Sequence, residues 1–384
     1  MNKPVDTKRR MDDCKLLWHK DRARDRFVHG RRIAPIHIDM GIAKFCNISC
    51  VFCYGFSQDP SNKFIQRDAL LNTVIDARSI GVKSLGFIGD GEPTCNPHLW
   101  DALRTAGRIG IDASISTNGY IVNTDERRAA ILENCRWMRF CFSAGTREGY
   151  KAIHRRDYFD AVARNIGDMV KYRDSHGLKC EIGLQAVFVP TLMSEEMIEE
   201  SRLAVELGVD YLVIKQCSLP DAGESGMAQF DVKLYDDPRI TEVLEECQAM
   251  TTDRTEIIPK WNLMHQKGGK PYDHCPSISL ISEISGNGDW FPCGYFFGDK
   301  PQFSDLKFGN VHDNRLFEIW ASDRYWKIIE HMENEFVPSQ MCKGCCRQDK
   351  CNEWCHNYRH AGAWAQKQLE MCGTPMTIRG VNFV

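Results

Sequence analysis

Between residues 36 and 217 short apolar runs alternate with amphipathic ones, and this alternation restricts the fold more than any other feature of the chain. IHIDMGIA, KSLGFIG, DASISTNG, WMRFCFSAG, KCEIGLQAVFV and DYLVIKQCS have the length and punctuation of strands. Between them, FIQRDALLNTVIDARSIG, PHLWDALRTAGRIG, TDERRAAILENC, YFDAVARNIGDMVKYRDSHG and SEEMIEESRLAVELG repeat apolar residues at helical spacing. Strand–helix–strand units of this kind connect right-handedly and build a parallel sheet or barrel. Six strands fall short of the eight of a closed barrel, so the sequence predicts an α/β fold, a partial (β/α)6 barrel over residues 36–235. Residues 1–35, polar and rich in Arg and Lys, are expected to form a helix or arm lying over it. Past residue 235 the pattern changes to a helix (DPRITEVLEECQAM), a hairpin-like ISLISEISGNGDWFPCGYF and a cysteine-rich tail, which together define a third region, 236–384.

Charge and cysteine usage narrow the chemistry. A net charge of −3 favours neither phosphate backbones nor anionic lipid, so neither a nucleic-acid nor a membrane partner is expected. MNKPVDTKRRMDDCK lacks the apolar core of a signal peptide, and no apolar run approaches the roughly 18 residues of a membrane span, which points to the cytoplasm. The chain nevertheless holds eighteen cysteines, grouped as Cys46, Cys50 and Cys53 and, in the last third, Cys275, Cys293, Cys342, Cys345, Cys346, Cys351, Cys355 and Cys372. Without an export signal, such groups point to metal or redox chemistry rather than to disulfides.

The first group, CNISCVFC, supplies three thiolates where structural zinc prefers four ligands, so a coordination position is left open. An iron–sulfur cluster is held by thiolates, and three of them leave one iron of a four-iron cluster free for a ligand. The motif follows the first predicted strand, at the end where barrels and open α/β sheets place their sites. Three buried or zinc-bound cysteines are the alternative reading. CxxxCxφC, with Phe52 as φ, resembles the radical SAM superfamily, and so does FIGDGEPT at the end of the second strand, where Gly89, Asp90, Gly91, Glu92 and Pro93 stand for the family's GGEP, with Asp in place of one Gly. The resemblance implies a [4Fe–4S] cluster on Cys46, Cys50 and Cys53 whose free iron binds S-adenosylmethionine. It also implies cofactor contacts from Gly89, Asp90, Gly91 and Glu92, from Ser116 and Asn118 for the ribose, and from Ser143 and the His154–Arg155 pair near the methionine carboxylate. Gln185 and Val187 are implied near the adenine. Ser and Asn at strand ends are also common turn formers.

The second group reads Cys275, twelve residues, Gly288, four residues, Cys293, then Cys342-x2-Cys345-x5-Cys351-x3-Cys355 and Cys372. A zinc ribbon would use four of these cysteines and leave Cys275, Cys293 and Cys372 without a role. The intervals resemble the SPASM domain. That resemblance implies two auxiliary [4Fe–4S] clusters, one on Cys275, Cys293 and Cys355 and one on Cys342, Cys345, Cys351 and Cys372, three clusters in all. The fourth ligand of the first auxiliary cluster is left open among Asp273, His274, Cys346 and substrate. Trp320 and Trp326 read as core residues.

By the same resemblance, a low-potential donor such as flavodoxin or ferredoxin supplies an electron, and a 5′-deoxyadenosyl radical abstracts hydrogen from substrate. The auxiliary clusters offer an exit for a second electron, so the expected activity is oxidation, or epimerisation, of a carbon centre in a small hydroxylated substrate such as a sugar or aminocyclitol. About 35 residues precede the first strand, short for a peptide-leader domain. A peptide- or protein-modifying maturase is the alternative, and a zinc-binding interaction module the non-enzymatic one. At the end of the sixth strand, an exposed Cys217 would donate hydrogen to a substrate radical, and Lys215 would act there as base or hydrogen-bonding group.

Overall fold

A computed structural model describes residues 15–53, 55, 61–217, 232–264, 270, 272–298, 301–342, 349–360 and 381–384. A short helix α1 (Lys20–Phe27) precedes six strands: β1 (His37–Met40), β2 (Ser84–Phe87), β3 (Asp112–Thr117), β4 (Cys135–Cys141), β5 (Glu181–Phe188) and β6 (Tyr211–Gln216). Between them lie α2 (Arg67–Ile80), α3 (Leu99–Ile109), α4 (Asp125–Leu132), α5 (Arg147–His154), α6 (Phe159–Ser175) and α7 (Pro190–Leu207). Gly81 ends α2 at φ 104°, a left-handed conformation that costs glycine nothing.

The parallel order runs past residue 235. A helix α8 (Pro238–Ala249) leads into β7 (Glu256–Pro259), which pairs in parallel with β6. The hairpin expected at GNGD forms as β8 (Ile281–Ile284) and β9 (Asp289–Phe291), followed by β10 (Gly309–Asn310). β8 lies parallel to β1, with Asp39 opposite Glu283, so the C-terminal region extends the barrel sheet in the order β10-β9-β8-β1-β2-β3-β4-β5-β6-β7. β7 and β10 end that order, which leaves the barrel open.

Alternation along the strands gives the sheet two faces. Leu85, Phe87, Ala113, Ile115, Met138, Phe140, Ile182, Leu184, Leu212 and Ile214 are fully buried in the main core. The intervening positions form the inner face and are largely polar: the ladder sets Ser116 beside Arg139, Cys141 beside Gln185, and Val187 beside Lys215. At the N-terminal ends of the strands, residues 381–384 form a floor. Ser84 Oγ donates to the Asn382 carbonyl, Asn382 Nδ2 donates to Asp112 Oδ2 at 2.8 Å, and the Phe383 ring meets His37 and Trp137 at 5.5 and 5.6 Å.

One buried ion pair and one half-exposed pair fasten the outer parts to this sheet. Arg26 of α1 grips Glu333 through two bonds of 2.9 and 2.7 Å, and Arg315 holds Asp76 of α2 at 2.9 and 2.5 Å. Trp320 and Trp326 pack with the core, as their spacing suggested.

Candidate active site

The three cysteines of CNISCVFC lie in the loop after β1, and that loop is held from two sides. On one side the loop after β2 presses against it: a Cβ on Gly89 would sit 2.1 Å from Gly41 Cα, and one on Gly91 2.3 Å from the Ala43 carbonyl oxygen. Only glycine permits this approach at either position. On the other side Ser49 N–H donates to the His154 carbonyl at 3.2 Å and Val51 N–H to that of Ile153 at 2.9 Å. The loop is thereby docked onto the C-terminal end of α5.

Cys46 and Cys50 carry thiols whose pKa is pushed far up, first by burial and then by neighbouring charge: Glu92, Cys53 and Cys95 for Cys46, and Cys53, Cys46 and Cys141 for Cys50. Cys46 and Cys50, with Cys53 among the causes of both shifts, are poor free thiolates and suitable ligands for a cationic iron centre. Among the described residues no three His, Cys, Asp or Glu side chains converge on a single metal position. A cluster does not require that, because each thiolate takes a different iron. The donor set fits a cluster.

Glu92 is fully buried and organises the end of β3. Its Oε1 accepts from Thr94 N (3.1 Å), Thr94 Oγ1 (2.6 Å) and Thr117 Oγ1 (2.6 Å), and its Oε2 from Asn118 N (2.8 Å). Burial raises its pKa, and these donors oppose the rise. Asn118 in turn reaches the cysteine loop, with Nδ2 2.6 Å from Asn47 Oδ1 and 3.7 Å from Cys46 Sγ. Ser116 lies one step back on β3, nearly buried.

Asp90, which stands where the family has a Gly, has a structural partner for its side chain. Its carboxylate turns inward, pairing with Lys44 at 3.0 Å and accepting from Gly286 N–H at 2.8 Å. Lys44 was not singled out from the sequence. It lies two residues before Cys46, and an Asp in place of a Gly was the available sign that a cation had to stand opposite.

Ser143, at the end of β4, is fully buried: its Oγ accepts from Val187 N at 3.1 Å and its N–H donates to His154 Nε2 at 3.2 Å. His154 is enclosed, and burial holds its pKa down at about 3. Arg155 is exposed and takes φ 54°, the only positive φ outside glycine among the described residues. Gln185 Oε1 accepts from Arg139 Nη1 at 2.9 Å, and the Arg139 guanidinium lies 4.8 Å from the Trp137 ring. Arg139, which sequence reasoning passed over, shares the inner face of β4 with Cys141; period two along WMRFCFS was the signal. Cys141 is partly exposed, its thiol pushed up to about 11, foremost by burial.

Cys217 does not meet the condition for a hydrogen donor. Its residue is 4% exposed, its N–H donates to the Tyr235 hydroxyl at 2.9 Å, and that hydroxyl donates to the Phe188 carbonyl at 2.6 Å. Burial raises its thiol to about 11. Lys215 stays partly exposed on the inner face, within electrostatic reach of Cys141.

In the C-terminal region Cys275 and Cys355 are buried, and Cys293, Cys342 and Cys351 partly exposed. Cys275 is anchored by its N–H to the Met332 carbonyl (3.0 Å), and Asn352 Nδ2 donates to its sulfur at 3.3 Å. Cys351 and Cys355 stand one turn apart on the helix Asp349–His360, and burial, followed by Cys351, raises the Cys355 pKa. His274 has Nδ1 3.1 Å from the Phe336 carbonyl. Cys345, Cys346 and Cys372 lie outside the described residues.

An open parallel barrel with three thiols at its mouth and further cysteines in a region stitched to its first strand defines an iron–sulfur enzyme. Residues 40–204 match the radical SAM superfamily and residues 275–346 the iron–sulfur cluster-binding SPASM domain, and the chain is a radical SAM enzyme with a C-terminal SPASM domain. Proteins of this kind use [4Fe–4S] clusters and S-adenosylmethionine. The chain is 26% identical over 330 residues, 82% of this chain and 88% of the other, to the tungsten-containing aldehyde ferredoxin oxidoreductase cofactor-modifying protein of Pyrococcus furiosus. Its fold is similar to that of SuiB of Streptococcus suis bound to the precursor peptide SuiA (TM-score 0.61, 17% identity, 79% of this chain and 69% of that one). It is also similar to that of anSMEcpe with bound AdoMet (TM-score 0.56, 16% identity, 88% and 98%). Among the described residues no helix is long and apolar enough to cross a membrane.

Proposed function

We propose that the protein is a cytoplasmic radical SAM oxidoreductase with three [4Fe–4S] clusters that oxidises a carbon centre of a small hydroxylated substrate, supplied with electrons by a flavodoxin or ferredoxin. The observation that carries this reading is the polar inner face of the barrel below the cysteine loop, where Ser116, Arg139, Gln185 and Lys215 stand on neighbouring strands. Such a surface suits a ligand rich in hydroxyls or bearing an anionic group. When bound, the cluster and S-adenosylmethionine supply one-electron chemistry that removes a hydrogen atom from an unactivated carbon.

The chain's own residues do the rest. Cys46, Cys50 and Cys53 hold the cluster, Glu92 sets the backbone of Asn118 beside it, and Val381–Val384 shields the lumen from below. The enclosure of Cys217 favours oxidation over epimerisation, since no exposed thiol stands at the end of β6. The P. furiosus relative, named for modifying a cofactor, agrees with a small-molecule substrate. Action on a peptide is the second reading, favoured by the likeness to peptide-bound SuiB in fold.

Anaerobic reconstitution followed by reduction with S-adenosylmethionine tests the proposal. About twelve irons per chain and release of 5′-deoxyadenosine are expected. Fewer than about eight irons reject the three-cluster assignment. Faster turnover with a peptide than with any sugar, aminocyclitol or cofactor precursor decides for the second reading.

A further inference from the structure

His154 closes α5 with no exposed surface, and its surroundings permit the ring a single tautomer. The Ser143 backbone N–H points at Nε2 from 3.2 Å. An amide nitrogen has only a hydrogen to give, so Nε2 is the bare nitrogen and the ring hydrogen resides on Nδ1. Nδ1 lies 3.0 Å from Cys50 Sγ, and its hydrogen is therefore directed at that sulfur.

Both partners are fixed independently of this contact. The bonds from Ser49 and Val51 to the His154 and Ile153 carbonyls pin the cysteine loop to the same helix end that carries the imidazole. Tyr150 packs on the ring with centroids 4.3 Å apart, and Phe52 meets it edge-on at 6.0 Å. Arg155 then turns the chain away in the left-handed conformation, a placement that a β-carbon-bearing residue adopts at some cost. A helix end, a strand end and two rings thus converge to hold one N–H against one sulfur.

We propose that His154 is a positioning residue that donates Nδ1–H to the Cys50 sulfur and raises the reduction potential of the cluster bound there; this rests on Cys46, Cys50 and Cys53 being that cluster's ligands. Hydrogen bonds to the sulfurs are among the determinants of cluster potential, because they stabilise the more negative, reduced form over the oxidised one. The imidazole that gives this bond has no exposed surface, so the bond is less screened than one at the surface. A neutral imidazole provides it without placing a full positive charge beside the site where S-adenosylmethionine, itself a cation, must bind.

The test is a potentiometric titration of the full, reconstituted chain, read by EPR with and without S-adenosylmethionine so that the responding cluster is the one followed. His154→Phe keeps a ring and loses the donor. Its midpoint is expected to be more negative, so that the reduced-to-oxidised ratio at a fixed potential falls about tenfold, equivalent to ~59 mV for one electron. His154→Gln retains an N–H and is expected to recover part of the shift. An unchanged midpoint in His154→Phe, or an equal shift in both variants, overturns the proposal. Should the phenylalanine variant fail to take up iron, wild-type protein labelled with 15N-histidine carries the test. Pulsed EPR of its reduced cluster, without S-adenosylmethionine, is expected to show one coupled histidine nitrogen, and absence of coupling rejects the hydrogen bond. Absence of any S-adenosylmethionine-responsive signal in wild-type protein instead rejects the ligand assignment beneath the proposal.

Discussion

Lys44 and Asp90 form an ion pair 3.0 Å long whose side chains are 2% and 1% exposed, and the second oxygen of Asp90 accepts from Gly286 N–H. The cysteine loop, the loop after β2 and the C-terminal hairpin therefore meet at one carboxylate. Removing it takes the carboxylate from a buried ammonium, so Asp90→Ala is expected to cost about 3–5 kcal/mol in denaturant unfolding. The double variant Lys44→Met/Asp90→Ala should lose less than Asp90→Ala alone. A single variant as stable as wild type would contradict the pairing.

Cys50→Ala is expected to lower the iron content by about four per chain and to abolish S-adenosylmethionine cleavage, while the iron of the SPASM domain stays. Iron analysis together with EPR distinguishes this from general loss of clusters, which would show the first cysteine group to be needed for folding rather than for one cluster.

Glu92→Gln puts an amide N–H where only donors surround the carboxylate: Thr94, Thr117 and the Asn118 backbone. The expected cost is about 1–3 kcal/mol. Because Asn118 is held by this carboxylate, calorimetry should also show S-adenosylmethionine binding weakened by about tenfold, ~1.4 kcal/mol.

Cys217→Ala should leave turnover and solvent deuterium incorporation into product unchanged, since the thiol is enclosed. The measurement is mass spectrometry of product formed in deuterated buffer; a change in incorporation would return Cys217 to the reaction.

Glu200, on α7, is fully buried, neither carboxyl oxygen has a partner among the described residues, and burial, then the charge of Glu196, raises its pKa well above 4.5. A raised folded pKa means stability fully present below about pH 4.5 and lost as pH rises through the folded value. Wild-type protein should therefore weaken as pH climbs from 5 towards 9, and Glu200→Gln should flatten that slope in urea unfolding. Parallel slopes would assign the pH dependence elsewhere.

The βα alternation was legible because each unit is local: the periodicity of residues 67–80 needs no knowledge of a partner. The junction of β8 with β1 was not, since Asp39 and Glu283 are far apart in sequence and nothing in ISLISEI names its neighbour. For the same reason Lys44 escaped a reading by motif, and His154 was read beside the methionine carboxylate rather than against the Cys50 sulfur. Their roles arise from what faces them, a carboxylate on another loop and a sulfur on another element. Cys217 was placed correctly at the end of β6, but its exposure depended on Tyr235, a residue beyond the strand.

Residues 381–384 make the completion of the barrel a matter of long-range contacts. Lys15 and His19 bond to the Phe383 and Val381 carbonyls across 368 and 362 positions, and Ser84 to Asn382 across 298. Contacts of such sequence separation slow the approach to the native state. A fragment restricted to residues 36–235 would have neither floor nor β8 edge. The two homology regions are separable on paper, but the sheet that carries the first is completed by a strand and a floor supplied from far along the chain.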